Sequence, residues 1–227
     1  MLDFFLYVLV IFIPSLFWIY FWLREDEKES PEPLSLVLKV FFVSWFSAIL
    51  AIVIQSLITK FFSNKNLVPI LFVLTEEVLK FLPVYIIALK TKYNNERTDP
   101  ILYLIIGAIG FATLENILFF IQDFINHGAN FSIMTSLYRT IGATQIHIAS
   151  SFFLGLALSL TYYKKKHIRI LALHIGLFLA IGTHLFFNYL ISQNNSLATN
   201  LAFYTGWFLI FIILAIFELL RNKIKKD

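Results

Sequence analysis

LVPILFVLTEEVLKFLPVYIIAL, residues 67–89, is an apolar run interrupted by two glutamates, a lysine and two prolines. About 20 apolar residues in a helix cross a hydrocarbon core roughly 30 Å thick, and this block has that length. Six comparable blocks surround it, at about 2–23, 36–59, 101–125, 138–163, 168–192 and 200–220. Of the 227 residues, 59% are hydrophobic and 14% charged, more apolar surface than a soluble domain of this size could hide. The surroundings must therefore be lipid. Backbone groups in lipid must be satisfied within the chain, which helices achieve segment by segment, and the period-two alternation of a membrane barrel is absent. The expected fold is an all-α, polytopic membrane helical bundle of about seven transmembrane helices. It forms one domain over residues 1–227, with a motif-bearing core at about 67–192.

Without cysteine there is no disulfide, thiol chemistry or Cys-ligated metal. Asp3 stands where a signal peptide would carry a basic n-region, and the run Leu2 to Leu23 is too long for an h-region. It is expected to remain as the first helix. The net charge of +4 does not indicate nucleic acid, because the basic residues sit in the connections beside the apolar blocks. They indicate orientation instead. One side collects Arg24, Lys28, Lys90, Lys92, Arg97, Lys164, Lys165, Lys166, Arg169, Arg221, Lys223, Lys225 and Lys226, and the other only Lys60, Lys65 and Arg139. This bias places the N-terminus outside and the C-terminus in the cytoplasm of a multi-pass protein of a bacterial-type cell membrane. Lys39 lies near a helix end and can snorkel, whereas Lys80 cannot easily do so.

Charged groups at bilayer depth cost roughly 2.5 to 3.5 kcal/mol each on insertion scales, so the polar residues inside the blocks carry the functional information. Glu76, Glu77 and Lys80 lie in the third block, Glu115 and Asn116 in the fourth, His147 in the fifth, and His184 and Asn188 in the sixth. At about 1.5 Å per residue, Glu76, Glu115, His147 and His184 all fall about 12 to 15 Å below the outer surface. Four spans thus place their costliest side chains at one depth and are expected to turn them inward around water. Glu76 and Lys80, four apart with the acid first, are spaced for an ion pair. His184 and Asn188 share a face. Pro83 predicts a bend, and Gly107, Gly110 and Gly155 predict close helix approach. Taken singly, Glu76 with Lys80 reads equally as a pair that fixes helix register, and each histidine as a satisfied polar group between helices. His174 has no partner at the common depth and reads as structural. Asp123, Glu218, His127 and His167 lie near helix ends or in loops and are expected to be solvated.

Glu76-Glu77-x-x-Lys80, Phe111-x-x-x-Glu115-Asn116, His147 with Ser151 and Gly155, and His184-x-x-x-Asn188 together resemble, in order and helix placement, the motifs of the PrsW intramembrane proteases. These are relatives of the CAAX prenyl proteases and Abi proteins. In the CAAX branch the second motif usually offers a histidine where this chain has Glu115. The resemblance implies site-1 cleavage of a membrane-anchored, anti-sigma-factor-like protein on its extracytoplasmic side. On this reading Glu76 is the general base. Glu77 and Glu115 share charge or position water, Lys80 holds the acids ionised, and Asn116 completes the second motif. His147 orients water or protonates the leaving amine, and His184 and Asn188 donate to the oxyanion. No cofactor is the preferred expectation. Zn2+ on Glu115, His147 and His184 is the alternative, with another glutamate as base. The competing functions are a proton-coupled transporter and a non-catalytic Abi-like membrane protein.

Overall fold

The computed structural model describes residues 2–26 and 32–224; Lys28, Lys225 and Lys226, counted above for orientation, lie outside the described residues. Among these residues the chain is all-helical: α1 (Leu2–Asp26), α2 (Leu34–Phe61), α3 (Leu67–Val84), a π-helical turn (Tyr85–Leu89), α4 (Asp99–His127), α5 (Ala129–Ile141), α6 (Ala143–Leu160), α7 (Lys166–Ser192) and α8 (Ser196–Ile224). Five segments are long and apolar enough to cross a membrane: Leu34–Phe61, Asp99–His127, Ala129–Leu160, Lys166–Ser192 and Ser196–Arg221. α3 is shorter and carries Glu76, Glu77 and Lys80 within its 18 residues.

α4 is the axis of the bundle. Its residues from Asp99 to Leu114 are all buried, and α1, α2, α3, α5 and α6 pack around it. The glycines expected at close crossings stand at them. A Cβ on Gly110 would lie 2.3 Å from the Phe41 carbonyl oxygen of α2, and one on Gly155 would lie 2.7 Å from Ile101 Cα of α4. A Cβ on Gly107 would meet the Val84 side chain at 2.5 Å. α7 packs against both α6 and α3, closing the ring that surrounds the polar residues. α1 joins α4 through a Thr113–Ser15 hydroxyl contact of 2.6 Å, and its Trp22 meets Phe217 of α8 edge to face at 5.5 Å.

Two local features differ in detail from the apolar blocks. The bend expected at Pro83 takes the form of the π-helical turn directly after it. Proline removes the amide that would bond the carbonyl four residues back, and a widened turn is one way the ladder recovers. The fifth block, expected to start near residue 138, is two helices. α5 spans Ala129–Ile141 and is followed by Gly142, where the Phe203 ring occupies the space a side chain would need, 1.8 Å from an added Cβ. The polar residues of α5 hid it from an apolarity reading: Ser132 and Ser136 are buried, and Thr135 bonds Asp123 of α4 at 2.6 Å. Asp123, expected to be solvated, is therefore a partner in the α4–α5 contact.

Forcing a methyl group between packed backbones typically costs about 1–3 kcal/mol. Gly110→Ala and Gly155→Ala are expected to lower the unfolding temperature in detergent, whereas Gly182→Ala, with nothing within 4 Å of the added carbon, is expected to leave it unchanged. Equal melting of all three by differential scanning fluorimetry would contradict this account of the crossings.

Candidate active site

The four helices expected to share a polar level do meet. α3 supplies Glu76, Glu77 and Lys80, α4 supplies Glu115 and Asn116, α6 supplies His147, and α7 supplies His184. Glu76, Glu77, Lys80, Asn116, His147 and His184 are all buried. The His147 and His184 rings lie edge to face with centroids 4.9 Å apart.

Lys80 is the hub. Its Nζ lies 2.6 Å from Glu77 Oε1, 3.0 Å from Ser150 Oγ and 3.3 Å from His147 Nδ1. Three donors thus meet three acceptors, the full capacity of an ammonium group. The pair expected from the four-residue spacing, Glu76 with Lys80, is replaced by the three-residue pair Glu77–Lys80. Both spacings bring helical neighbours together, and here the Lys80 side chain leans toward α6, where Ser150 and His147 complete its shell. Of the serines on α6, Ser150 and not the motif residue Ser151 makes this contact.

These contacts assign the imidazole protons. Nδ1 of His147 accepts from Lys80, so Nε2 carries the hydrogen and donates to Glu115 Oε2 at 3.1 Å. His184 is opposite: Nδ1 donates to Glu77 Oε1 at 2.6 Å, which leaves Nε2 as a bare lone pair 3.6 Å from Glu76 Oε2. Glu77 therefore holds both Lys80 and His184 in place from behind, and it is Nε2 of His184 that faces Glu76.

Sequence reading missed three contributors, Arg139, Thr144 and Gln55. Arg139, counted as an outer-loop orientation residue, lies in α5, donates to Glu115 Oε2 at 2.7 Å and to Asn116 Oδ1 at 3.1 Å, and stacks on Phe119 at 3.7 Å. Asn116 in turn donates to Thr144 of α6 at 3.1 Å, so it positions Arg139. Gln55 of α2 donates to Glu76 Oε1 at 2.7 Å. A signal for Gln55 existed, an amide within an otherwise apolar block, but it is uncharged and drew no attention. His174 turns outward and bonds only the Ile170 carbonyl of its own helix.

A cavity of about 500 Å3 opens on this cluster, lined by Gln55, Glu76, Glu115, Arg139, His147, His184 and Asn188 among others. Glu77, Lys80 and Asn116 do not line it and act from behind. Two cations, Lys80 and Arg139, face three carboxylates; Lys80 takes Glu77 and Arg139 takes Glu115. Glu76 is left without a cation of its own, and its buried Oε2 accepts no hydrogen bond among the described residues. A buried carboxylate oxygen in this condition carries a desolvation cost that a bound partner would relieve.

Glu76 Oε2 and His184 Nε2 are open to a zinc ion, and His147 completes a three-residue donor set once its Nε2 gives up the contact with Glu115. One ligand atom each from Glu76, His147 and His184 lie within 4.8 Å of one another, and a carboxylate behind the other ring nitrogen, as Glu77 stands behind His184, is the usual support of a metal-binding histidine. Glu115, expected in the zinc set, is engaged by Arg139 and His147.

Lys80→Met would strand the Glu77 carboxylate in the bundle, where removing one partner of a buried pair costs about 3–5 kcal/mol. Thermal unfolding followed by tryptophan fluorescence is expected to show that loss, and adding Glu77→Gln is expected to recover most of it. A Lys80→Met protein as stable as wild type would overturn the hub role.

The family model for PrsW family intramembrane metalloproteases matches residues 32–217. The chain is also 26% identical over 172 residues to Protease PrsW of Clostridioides difficile (strain 630), covering 73% of this chain and 66% of that protein, so it spans a little under two thirds of the curated relative's length. No solved structure matches it. With a family match over most of its length, and the motif glutamates and histidines gathered around one cavity, the chain belongs to the PrsW family.

Proposed function

We propose that the chain is an intramembrane endopeptidase that hydrolyses a peptide bond in a membrane-anchored protein. The carrying observation is the Glu76 carboxylate, uncompensated and open to the cavity, 3.6 Å from the lone pair of His184. Glu76 Oε2 takes a proton from water as the water oxygen bonds to the scissile carbonyl carbon. His184 Nε2 receives that proton and passes it to the leaving amine nitrogen as the C–N bond breaks. Glu77, bonded to Nδ1, stabilises the imidazolium in between. Asn188, one helical turn from His184 and on the cavity wall, donates its amide hydrogen to the oxyanion, a contact worth roughly 3 kcal/mol in comparable sites. Glu115, His147 and Arg139 fix the opposite wall.

Glu76, His147 and His184 would hold zinc, and the family description favours that form. The metal supplies Lewis-acid polarisation of the carbonyl and a water that ionises near neutral pH. Lys80 does not oppose it, because its charge is already met by Glu77. Glu115, held by Arg139, would keep its place on the opposite wall in that form as well.

The reading extends to topology and substrate. The basic residues support seven spans with the N-terminus outside, in a bacterial-type cell membrane. The motifs support placement with the CAAX protease and Abi relatives and a substrate of the anti-sigma-factor type, cut on its outer side.

Purified protein in lipid nanodiscs, incubated with candidate single-pass proteins, is expected to cleave one of them. Glu76→Gln is expected to reduce cleavage about a thousandfold or more while melting like wild type, and His184→Ala to reduce it as far with a lower melting temperature, because Glu77 loses its imidazole partner. Undiminished cutting by both variants would remove the assignment. A chelator that stops cleavage, with zinc restoring it, selects the metal form; indifference to the chelator selects the glutamate form.

A further inference from the structure

A second cavity, of about 520 Å3, lies where the π-helical turn, the connection after it and the α6–α7 connection converge. Its two ends differ chemically. Phe81, Tyr85, Leu89, Leu158 and Leu173 form an apolar wall, whereas Lys90, Lys164, Lys166 and Arg169 gather at the rim. None of these four cations makes an ion pair with a carboxylate among the described residues; Lys90 instead lies over the Tyr85 ring at 4.7 Å and Arg169 over Tyr162 at 5.9 Å. The wall is held in place: Tyr162 donates to the Asn94 carbonyl at 2.6 Å, and Asn94 Nδ2 donates to the Leu89 carbonyl at 2.8 Å. Asn94 also lines the cavity, and its buried Oδ1 accepts no hydrogen bond among the described residues.

We propose that this groove binds one anionic glycerophospholipid with a hydroxyl-bearing headgroup, its phosphate among Lys90, Lys164, Lys166 and Arg169 and an acyl chain along the Phe81–Tyr85–Leu173 wall. The charge is the selecting feature, since like charges gathered around a concave rim without carboxylate partners favour an anion. The apolar wall distinguishes the ligand from free phosphate, which would leave it uncovered. The unpartnered Asn94 oxygen offers an acceptor to a headgroup hydroxyl, as on phosphatidylglycerol. The site lies at the ends of α3, α6 and α7, where the apolar blocks stop and a headgroup region begins. It shares no lining residue with the cavity at Glu76, so its test is independent of proteolysis.

The test is native mass spectrometry of the full chain released from nanodiscs of mixed phosphatidylglycerol and phosphatidylcholine. Wild type is expected to retain one phosphatidylglycerol in preference to phosphatidylcholine. Each cation beside an anionic headgroup contributes roughly fivefold, so K164A/K166A/R169A is expected to bind about a hundredfold more weakly. The control K60A/K65A, which removes basic residues far along the chain from the groove, is expected to retain the lipid. Lys164 and Lys166 are exposed and Arg169 is partly exposed, and unchanged melting of the variant confirms its fold. Equal retention of phosphatidylcholine, or of phosphatidylglycerol by the triple variant, would overturn the site. Displacement by millimolar inorganic phosphate would reassign the rim to a free anion and refute the lipid.

Discussion

The constraint on which the rest of the structure depends is the burial of an ammonium group among apolar helices. Lys80 is 1% exposed, and a charge in that position is tolerable only if each of its hydrogens finds an acceptor and its charge finds an anion. Glu77, Ser150 and His147 meet both demands. Because these partners come from α3 and α6, the contact sets the relative height of those two helices more tightly than apolar packing alone could. Glu77 then extends the constraint to α7 through His184. The glycines at Gly107 and Gly155 let α3 and α6 each approach α4 closely, which brings the two helices carrying these partners together.

Much of this was legible in the amino-acid order, and the limits of legibility have physical causes. Apolar blocks of membrane length mark α2, α4, α7 and α8 because lipid imposes that length, and charged residues inside a block stand out because lipid penalises them. The common depth of Glu76, Glu115, His147 and His184 followed from the fixed rise of a helix. α5 was not legible: its polar face packs against α4 and the cavity, so it resembles a solvated connection, and Arg139 on it resembles an orientation marker. The partner of Lys80 was also out of reach, since residues three and four away are both neighbours on a helix and the choice depends on what the next helix offers. Here α6 offers Ser150 and His147 on the Glu77 side.

The same logic separates supporting groups from reactive ones. Glu77, Lys80, Asn116 and Arg139 have partners that saturate or nearly saturate them, and their contribution is to hold geometry. Glu115 lies between, facing the cavity yet held by Arg139 and His147. Glu76 differs in kind. Gln55 fixes one of its oxygens, which orients the carboxylate, while the other oxygen is buried and open to chemistry.

That asymmetry bears on the rival functions. A relay that carries protons through a membrane needs groups linked in series from one surface to the other, each able to give up what it receives. Here the cations and carboxylates are paired off locally, and the unpaired valence is concentrated at Glu76 and the facing nitrogen of His184, beside a cavity large enough for a peptide backbone and its attacking water. On the proposed reading, Glu76 as base, His184 as proton carrier and Asn188 as amide donor on one wall would form a hydrolytic arrangement. The pairing of the other charges keeps that one carboxylate reactive without making the bundle unstable.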